Sequence, residues 1–305
     1  MNNPQINQLN QRFAVNSENT TLRFVDAESD IPRIVIQNRK AKALISLQGA
    51  HLLSWVPAGQ SDVLWLSEQA IFKQGKSVRG GIPICWPWFG AHETNDTLPA
   101  HGFARTVMWQ VVKTEALSDD ETMIVFRLDC RYQDQAVSNM WSHAVSVEYT
   151  LIIGDSLTLS LKTHNHSDHA VLIGQAFHTY FNIDNIKDTQ VCGLENKSYL
   201  DKPDNFKQKI QSGPLVVTNE VDRVFINTED AVAIKNKSRV ITISKQGSCS
   251  TVVWNPWKDV AEKMGDMGEH GYRQMLCVES ANAADDTRTI EAGASHQLSV
   301  NYQLS

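Results

Sequence analysis

A large antiparallel β-sandwich with a few short helices is the fold class this sequence predicts, and three observations carry the prediction. Apolar residues recur at every second position through much of the chain, turn residues interrupt these runs at short intervals, and no strand–helix–strand rhythm accompanies them.

The alternation is plain in four stretches. Leu157, Leu159 and Leu161 alternate with Thr158, Ser160 and Lys162, and Leu298, Val300 and Tyr302 alternate with Ser299, Asn301 and Gln303. Val145, Val147 and Tyr149 repeat the pattern, as do Ile124, Phe126 and Leu128. Side chains of a strand alternate between its faces, so each stretch reads as a strand with one buried and one wetter face. Residues 33–36, 107–112, 240–244 and 251–254 are rich in β-branched side chains and are further expected strands. Turns fall at Gly154 and Asp155, at Asn165 to Asp168, at Gly213 and Pro214, at Gly247 and Ser248, and at Gly293 and Ala294. Helices are expected at residues 3–13 and at 257–264, the second announced by Asn255 and Pro256. No repeat, low-complexity tract or long linker divides the 305 residues, so one domain is expected, with residues 1–20 as an N-terminal extension packed on it or flanking it.

Composition narrows the class of partner. With 42% hydrophobic and 20% charged residues the chain can bury a large core. Lys and Arg number 28 against 34 Asp and Glu, a net charge of −6, and nucleic-acid binding needs a broad cationic face that this balance does not supply. The first twenty residues lack the basic and apolar regions of a signal peptide. No stretch approaches the roughly 20 apolar residues of a membrane span. The five cysteines are scattered without a C-x-x-C pair, which suits reduced thiols in a cytoplasmic protein. The expectation is a monomer with no nucleic-acid or membrane partner.

Three segments break the strand pattern. Residues 79–90 read RGGIPICWPWFG: paired glycines permit close backbone approach, prolines hold a set path, and Trp86 and Trp88 offer flat apolar walls of the kind sugar sites have. The segment carries neither a dinucleotide nor a P-loop fingerprint. Residues 99–105 place His101 and Arg105 around Gly102, and an arginine fork suits carboxylate, phosphate or sugar hydroxyls. Residues 174–181 set His178 among aromatics, on one strand face with Ala176 and Tyr180. A fourth stretch, Met275 to Glu279, is an apolar strand ending on a carboxylate whose burial requires partners. Taken singly, each also suits a structural role. A buried acid with a histidine opposite is what general acid–base chemistry requires.

Together these segments, with Trp254-Asn255-Pro256-Trp257 and Cys277-Val278-Glu279, resemble the hexose-6-phosphate mutarotases, or glucose-6-phosphate 1-epimerases, of the aldose 1-epimerase (galactose mutarotase-like) superfamily. The resemblance runs in order from about Leu22 to the C-terminus. It implies a β-supersandwich that interconverts α and β anomers of a hexose 6-phosphate, glucose 6-phosphate above others, with no cofactor and no metal. It also implies His178 as general acid, Glu279 as general base, His101 and Asp222 on sugar hydroxyls, and Arg79 and Arg105 on the phosphate, with Lys76 as a further cation and Trp88 as a wall. The galactose-specific branch has N-H-P-x-F-N around its histidine. Here Phe177-His178-Thr179-Tyr180-Phe181-Asn182 stands in that place and favours the sugar-phosphate branch. The chemistry further requires a protonated acid beside an ionised carboxylate at neutral pH.

Two other readings compete. His164, His166 and His169 could ligate a metal in a cupin-type sandwich, although Asn165, Ser167 and Asp168 mark a turn. The eight tryptophans could serve a non-catalytic carbohydrate-binding module, although most tryptophans in so large a sandwich belong to core and walls. Paired carboxylates of a glycosidase have no signal, since Asp119-Asp120 and Asp285-Asp286 are adjacent and would face apart.

Overall fold

Period-2 patterning becomes stacked antiparallel sheets in the computed structural model, which describes residues 3–27, 29, 31–133 and 135–305. Among the described residues the strands form a five-stranded, a nine-stranded and an eight-stranded sheet, with a separate two-stranded pair. The expected strands lie within Arg33–Gln37, Thr122–Asp129, Val145–Ile153, Leu157–Asn165, Val240–Gln246, Ser250–Asn255 and Ser295–Leu304. Leu157–Asn165 lies between Val145–Ile153 and Ser295–Leu304, the central strand of the nine-stranded sheet. The strand expected at 107–112 is displaced to Gln110–Ala116. Residues 107–109 pair instead with the loop at 47–49: Gly49 N–H donates to the Val107 carbonyl and Trp109 N–H to that of Leu47.

Both expected helices form. Pro4–Phe13 starts with proline in its first turn and with the Asn3 side chain accepting from Gln5 N–H. It buries Ile6 and Phe13. Trp257–Met264 ends at Gly265 in the left-handed conformation. Gln135–Met140 and Gly271–Gln274 are additional short helices. No helix among the described residues is long and apolar enough to cross a membrane. All five cysteines are free, with Cys85, Cys130 and Cys277 buried.

The nine-stranded and eight-stranded sheets face each other across the main core. Tyr149 meets Phe177 with ring centroids 5.7 Å apart, and Tyr302 meets Phe181 at 5.1 Å. Thr179 and Tyr302 share a buried hydroxyl–hydroxyl hydrogen bond of 2.6 Å. Fully burying an apolar side chain of this size is worth about 1.5–3 kcal/mol, so this layer anchors the central strands of the eight-stranded sheet. Its other face is left to carry the site.

Candidate active site

Register decides which side chains meet on that outer face. Strand Met275–Asn282 lies between Ser250–Asn255 and the short strands Gln175–Phe177 and Tyr180–Asn182. Glu279 pairs with Val252, and Cys277 with Trp254. One strand further out, Val224 pairs with Val252 and Asp222 with Trp254. Cross-strand partners and alternate residues share a face, so Asp222, Trp254, Cys277 and Glu279 point one way. Val253, Leu276 and Val278 point into the core.

His178 reaches the same face from a break in the ladder. Phe177 pairs with Ser280 and Tyr180 with Cys277, and keeping that register puts His178 across from Glu279. The continuous strand expected there is interrupted: His178 N–H donates to the Pro83 carbonyl at 3.0 Å and Tyr180 N–H to that of Gly81 at 2.9 Å. The loop containing Gly81 and Pro83 thus takes up the ladder hydrogen bonds. A Cβ on Gly81 would lie 2.3 Å from the Leu52 carbonyl oxygen, so the close approach expected of the paired glycines is to the protein's own backbone. Glu279 does not end its strand, which continues to Asn282.

These faces line a cleft of about 960 Å³ that contains His178, Glu279, Arg79, His101, Arg105 and Asp222. Nδ1 of His178 stands 3.4 Å from Oε1 of Glu279, with the two residues 8% and 1% exposed. Nδ1 of His178 and Oε2 of Glu279 have no hydrogen-bond partner. The His101 ring stands edge-on to His178, centroids 5.6 Å apart, and its Nδ1 accepts from Gly90 N–H. Gly102 lets this turn close against Trp86, whose carbonyl oxygen would be 1.9 Å from an added Cβ. Arg79 donates to Asp266 at 3.0 Å and to the Tyr180 hydroxyl at 2.9 Å. Arg105 donates to the Ala100 carbonyl at 2.8 Å.

Two expected contacts fall outside the cleft. Trp88 turns to a neighbouring groove, donating its indole N–H to the Pro99 carbonyl. Lys76 is exposed and does not line the cleft, because the cleft wall passes through Ser77, Val78 and Arg79. In their place stand Lys202, ion-paired to Asp222 at 2.7 Å, and Trp254, edge-on to His178 with centroids 5.9 Å apart. Lys202 sits in an exposed hairpin with no motif around it. In the sequence it is a cation beside Pro203, outside every motif-bearing segment.

Electrostatics differ from the ion pair expected of this chemistry. Burial pushes the Glu279 carboxyl well above the usual carboxylate range, and Asp222 adds to the effect. Burial likewise pushes the His178 imidazole well below its ordinary value, reinforced by His101, Arg105 and Arg79. Both shifts run in the direction of the uncharged forms, because neither ion is well solvated there. Burial, then Arg105, also lowers His101 to about 3, leaving it neutral.

The three metal-site histidines do not form one cluster. The rings of His164 and His166 touch, centroids 4.2 Å apart, but His164 hydrogen-bonds Ser295 and His166 hydrogen-bonds Ser146, while His169 stands with Asp168 and His143. Four of the eight tryptophans, Trp55, Trp65, Trp86 and Trp109, are buried in the core.

The model of the aldose 1-epimerase family matches residues 32–303. A protein of Escherichia coli K12 named "Putative glucose-6-phosphate 1-epimerase" is 34% identical over 270 residues, covering 88% of this chain and 88% of its own. A plant relative of the same name, from Cenchrus ciliaris, is 33% identical and covers 88% of this chain and 84% of its own. The crystal structure of a "putative mutarotase" from Salmonella typhimurium superposes with a TM-score of 0.86 at 30% identity, over 99% of both chains.

Proposed function

This chain belongs to the aldose 1-epimerase family, and on that premise we propose that it interconverts the α and β anomers of hexose 6-phosphates, glucose 6-phosphate first among them. The observation that carries the reading is the buried His178–Glu279 pair on the floor of a cleft lined by Arg79, Arg105 and Lys202. Glu279 takes the proton of the anomeric hydroxyl while His178 gives one to the ring oxygen, and the ring opens to the aldehyde. Rotation about the C1–C2 bond presents the other carbonyl face, and closure returns both protons.

The direction of the two shifts fits this cycle. Carboxylate with imidazolium and carboxylic acid with imidazole hold the same number of protons, and ring opening converts the first arrangement into the second. Burial penalises the charged arrangement and brings the two closer in energy. A bound sugar favours the charged one, since its anomeric hydroxyl donates to Glu279 and its ring oxygen accepts from His178.

A net charge of −6 repels a phosphorylated sugar at long range, so a local cation cluster is physically required. Arg79, Arg105 and Lys202 are those cations, while His101 and Asp222 hold sugar hydroxyls. Segments from Arg79 to Glu279 converge on one cleft, which supports a single domain; that it acts as a monomer is part of the proposal. Free thiols suit a cytoplasmic setting.

Magnetisation-transfer NMR tests the reading directly. Anomer exchange should accelerate for glucose 6-phosphate far more than for free glucose or galactose, and Glu279→Gln should remove the acceleration. No acceleration on any sugar would refute it.

A further inference from the structure

The floor of the cleft holds a thiol that anomerisation does not use. Cys277 lies two residues before Glu279 on the same strand face, fully buried, and the ligating atoms of His178, Cys277 and Glu279 all lie within 4.8 Å of one another. Two of those atoms' side chains have a polar atom without a partner, Nδ1 of His178 and Oε2 of Glu279.

We propose that His178, Cys277 and Glu279 form a binding site for a thiophilic divalent cation such as Zn²⁺, which inhibits the enzyme in competition with the sugar. Nitrogen, sulfur and carboxylate oxygen are the donors that zinc selects. Bond lengths of about 2.0–2.3 Å put tetrahedral ligands roughly 3.5 Å apart, so the three groups close in by about 1 Å, within the reach of side-chain rotation. The charges also balance. A dication with one thiolate and one carboxylate is neutral overall, so the bound site avoids the isolated buried charge that penalises each group alone. On binding, one proton leaves the thiol and one leaves the His178–Glu279 pair, and both go to solvent.

Cys277 lies beneath the cleft, whereas His178 and Glu279 line it, so the fourth ligand position faces the space the sugar occupies. The inhibitory part of the proposal rests on the catalytic reading above; the binding part does not. Elsewhere, His143 and His169 bring Nδ1 and Nε2 to 3.3 Å of each other on the surface and offer the ion a competing site.

The test is titration of the metal-free full-length chain with Zn²⁺ by calorimetry, and with Co²⁺ by absorbance. One ion bound through Cys277, apart from any held by His143 and His169, proton release and a thiolate-to-Co²⁺ charge-transfer band are expected. Cys277→Ser and Cys277→Ala should each lose the band and weaken Zn²⁺ binding roughly tenfold or more, with anomerisation within about twofold of wild type. His143→Ala should change neither. Zn²⁺ should raise the apparent KM for glucose 6-phosphate at constant kcat. Absence of the band, unchanged Zn²⁺ affinity in both Cys277 variants, loss of binding in His143→Ala, or a fall in kcat at constant KM would each overturn the proposal. A chain that shows the band yet anomerises no sugar would refute the catalytic reading and with it inhibition, leaving the binding site intact.

Discussion

The ring of His178 lies flat on that of Tyr180, centroids 4.9 Å apart and planes 10° from parallel. Tyr180 in turn accepts a hydrogen bond from Arg79, and Arg79 is tied to Asp266. A chain of contacts therefore runs from a cation of the cleft wall to the proposed acid, and one tyrosine serves both ends. Its ring orients the imidazole and its hydroxyl orients the guanidinium.

Separating those two duties is the first prediction. Tyr180→Phe keeps the stack and loses the hydroxyl, so the KM for glucose 6-phosphate should rise by roughly three- to tenfold at near-constant kcat. Tyr180→Ala loses both contacts and should lower kcat as well. Exchange rates measured at several substrate concentrations distinguish the outcomes, and an equal kcat loss in both variants would contradict the division.

Removing either member of the proton pair should cost catalysis and spare the fold. Glu279→Gln and His178→Asn are expected to slow anomerisation by roughly 10²–10⁴-fold. Their melting temperatures should not fall, because each change removes a titratable group from a buried place where its charge is penalised. A wild-type rate in either variant would sink the assignment.

The cations should sort by whether they face the cleft. Arg79→Ala, Arg105→Ala and Lys202→Ala should each lose more activity on glucose 6-phosphate than on free glucose, whereas Lys76→Ala and Trp88→Ala should change neither. Added salt should narrow the gap between the two substrates, since attraction to the phosphate is screened. Equal losses on both sugars would mean that the three cleft cations do not read the phosphate.

Stability should depend on pH through His51. This imidazole is buried with its Nε2 donating to the Gly80 carbonyl at 2.8 Å, which secures the loop next to Arg79. Burial lowers its pKa to about 4. The unfolded chain titrates near 6.5, so between the two values the unfolded state binds more protons. The stabilisation is therefore complete above about pH 6.5 and is lost as pH falls towards 4, a loss on the order of 3 kcal/mol. Urea unfolding should show a shallower decline across this window in His51→Gln than in wild type, and parallel declines would exclude His51 as a source.

Much of the architecture was legible because alternation is a local property. Leu157 to Leu161 and Leu298 to Tyr302 announce their buried faces to any reader of the chain, and the two strands pair over Leu157↔Tyr302 to His164↔Ser295. The strand pattern at 107–109 does not mark its partners, because they lie in a loop. Composition suggests Trp88 as a wall, yet its neighbour Phe89 is the residue that lines the cleft.

By itself the sequence determined the β class, the segments that bear the chemistry and, through their combined resemblance, the family. Only the tertiary structure decided that His178 stands across from Glu279, since the two are about a hundred positions apart and meet through the register of a broken strand. It likewise decided that Lys202, and not Lys76, joins the arginines, and that burial penalises the charged forms of the pair. Each of these depends on what lies across a sheet and on how far water is excluded, and neither quantity is carried by a residue's neighbours along the chain.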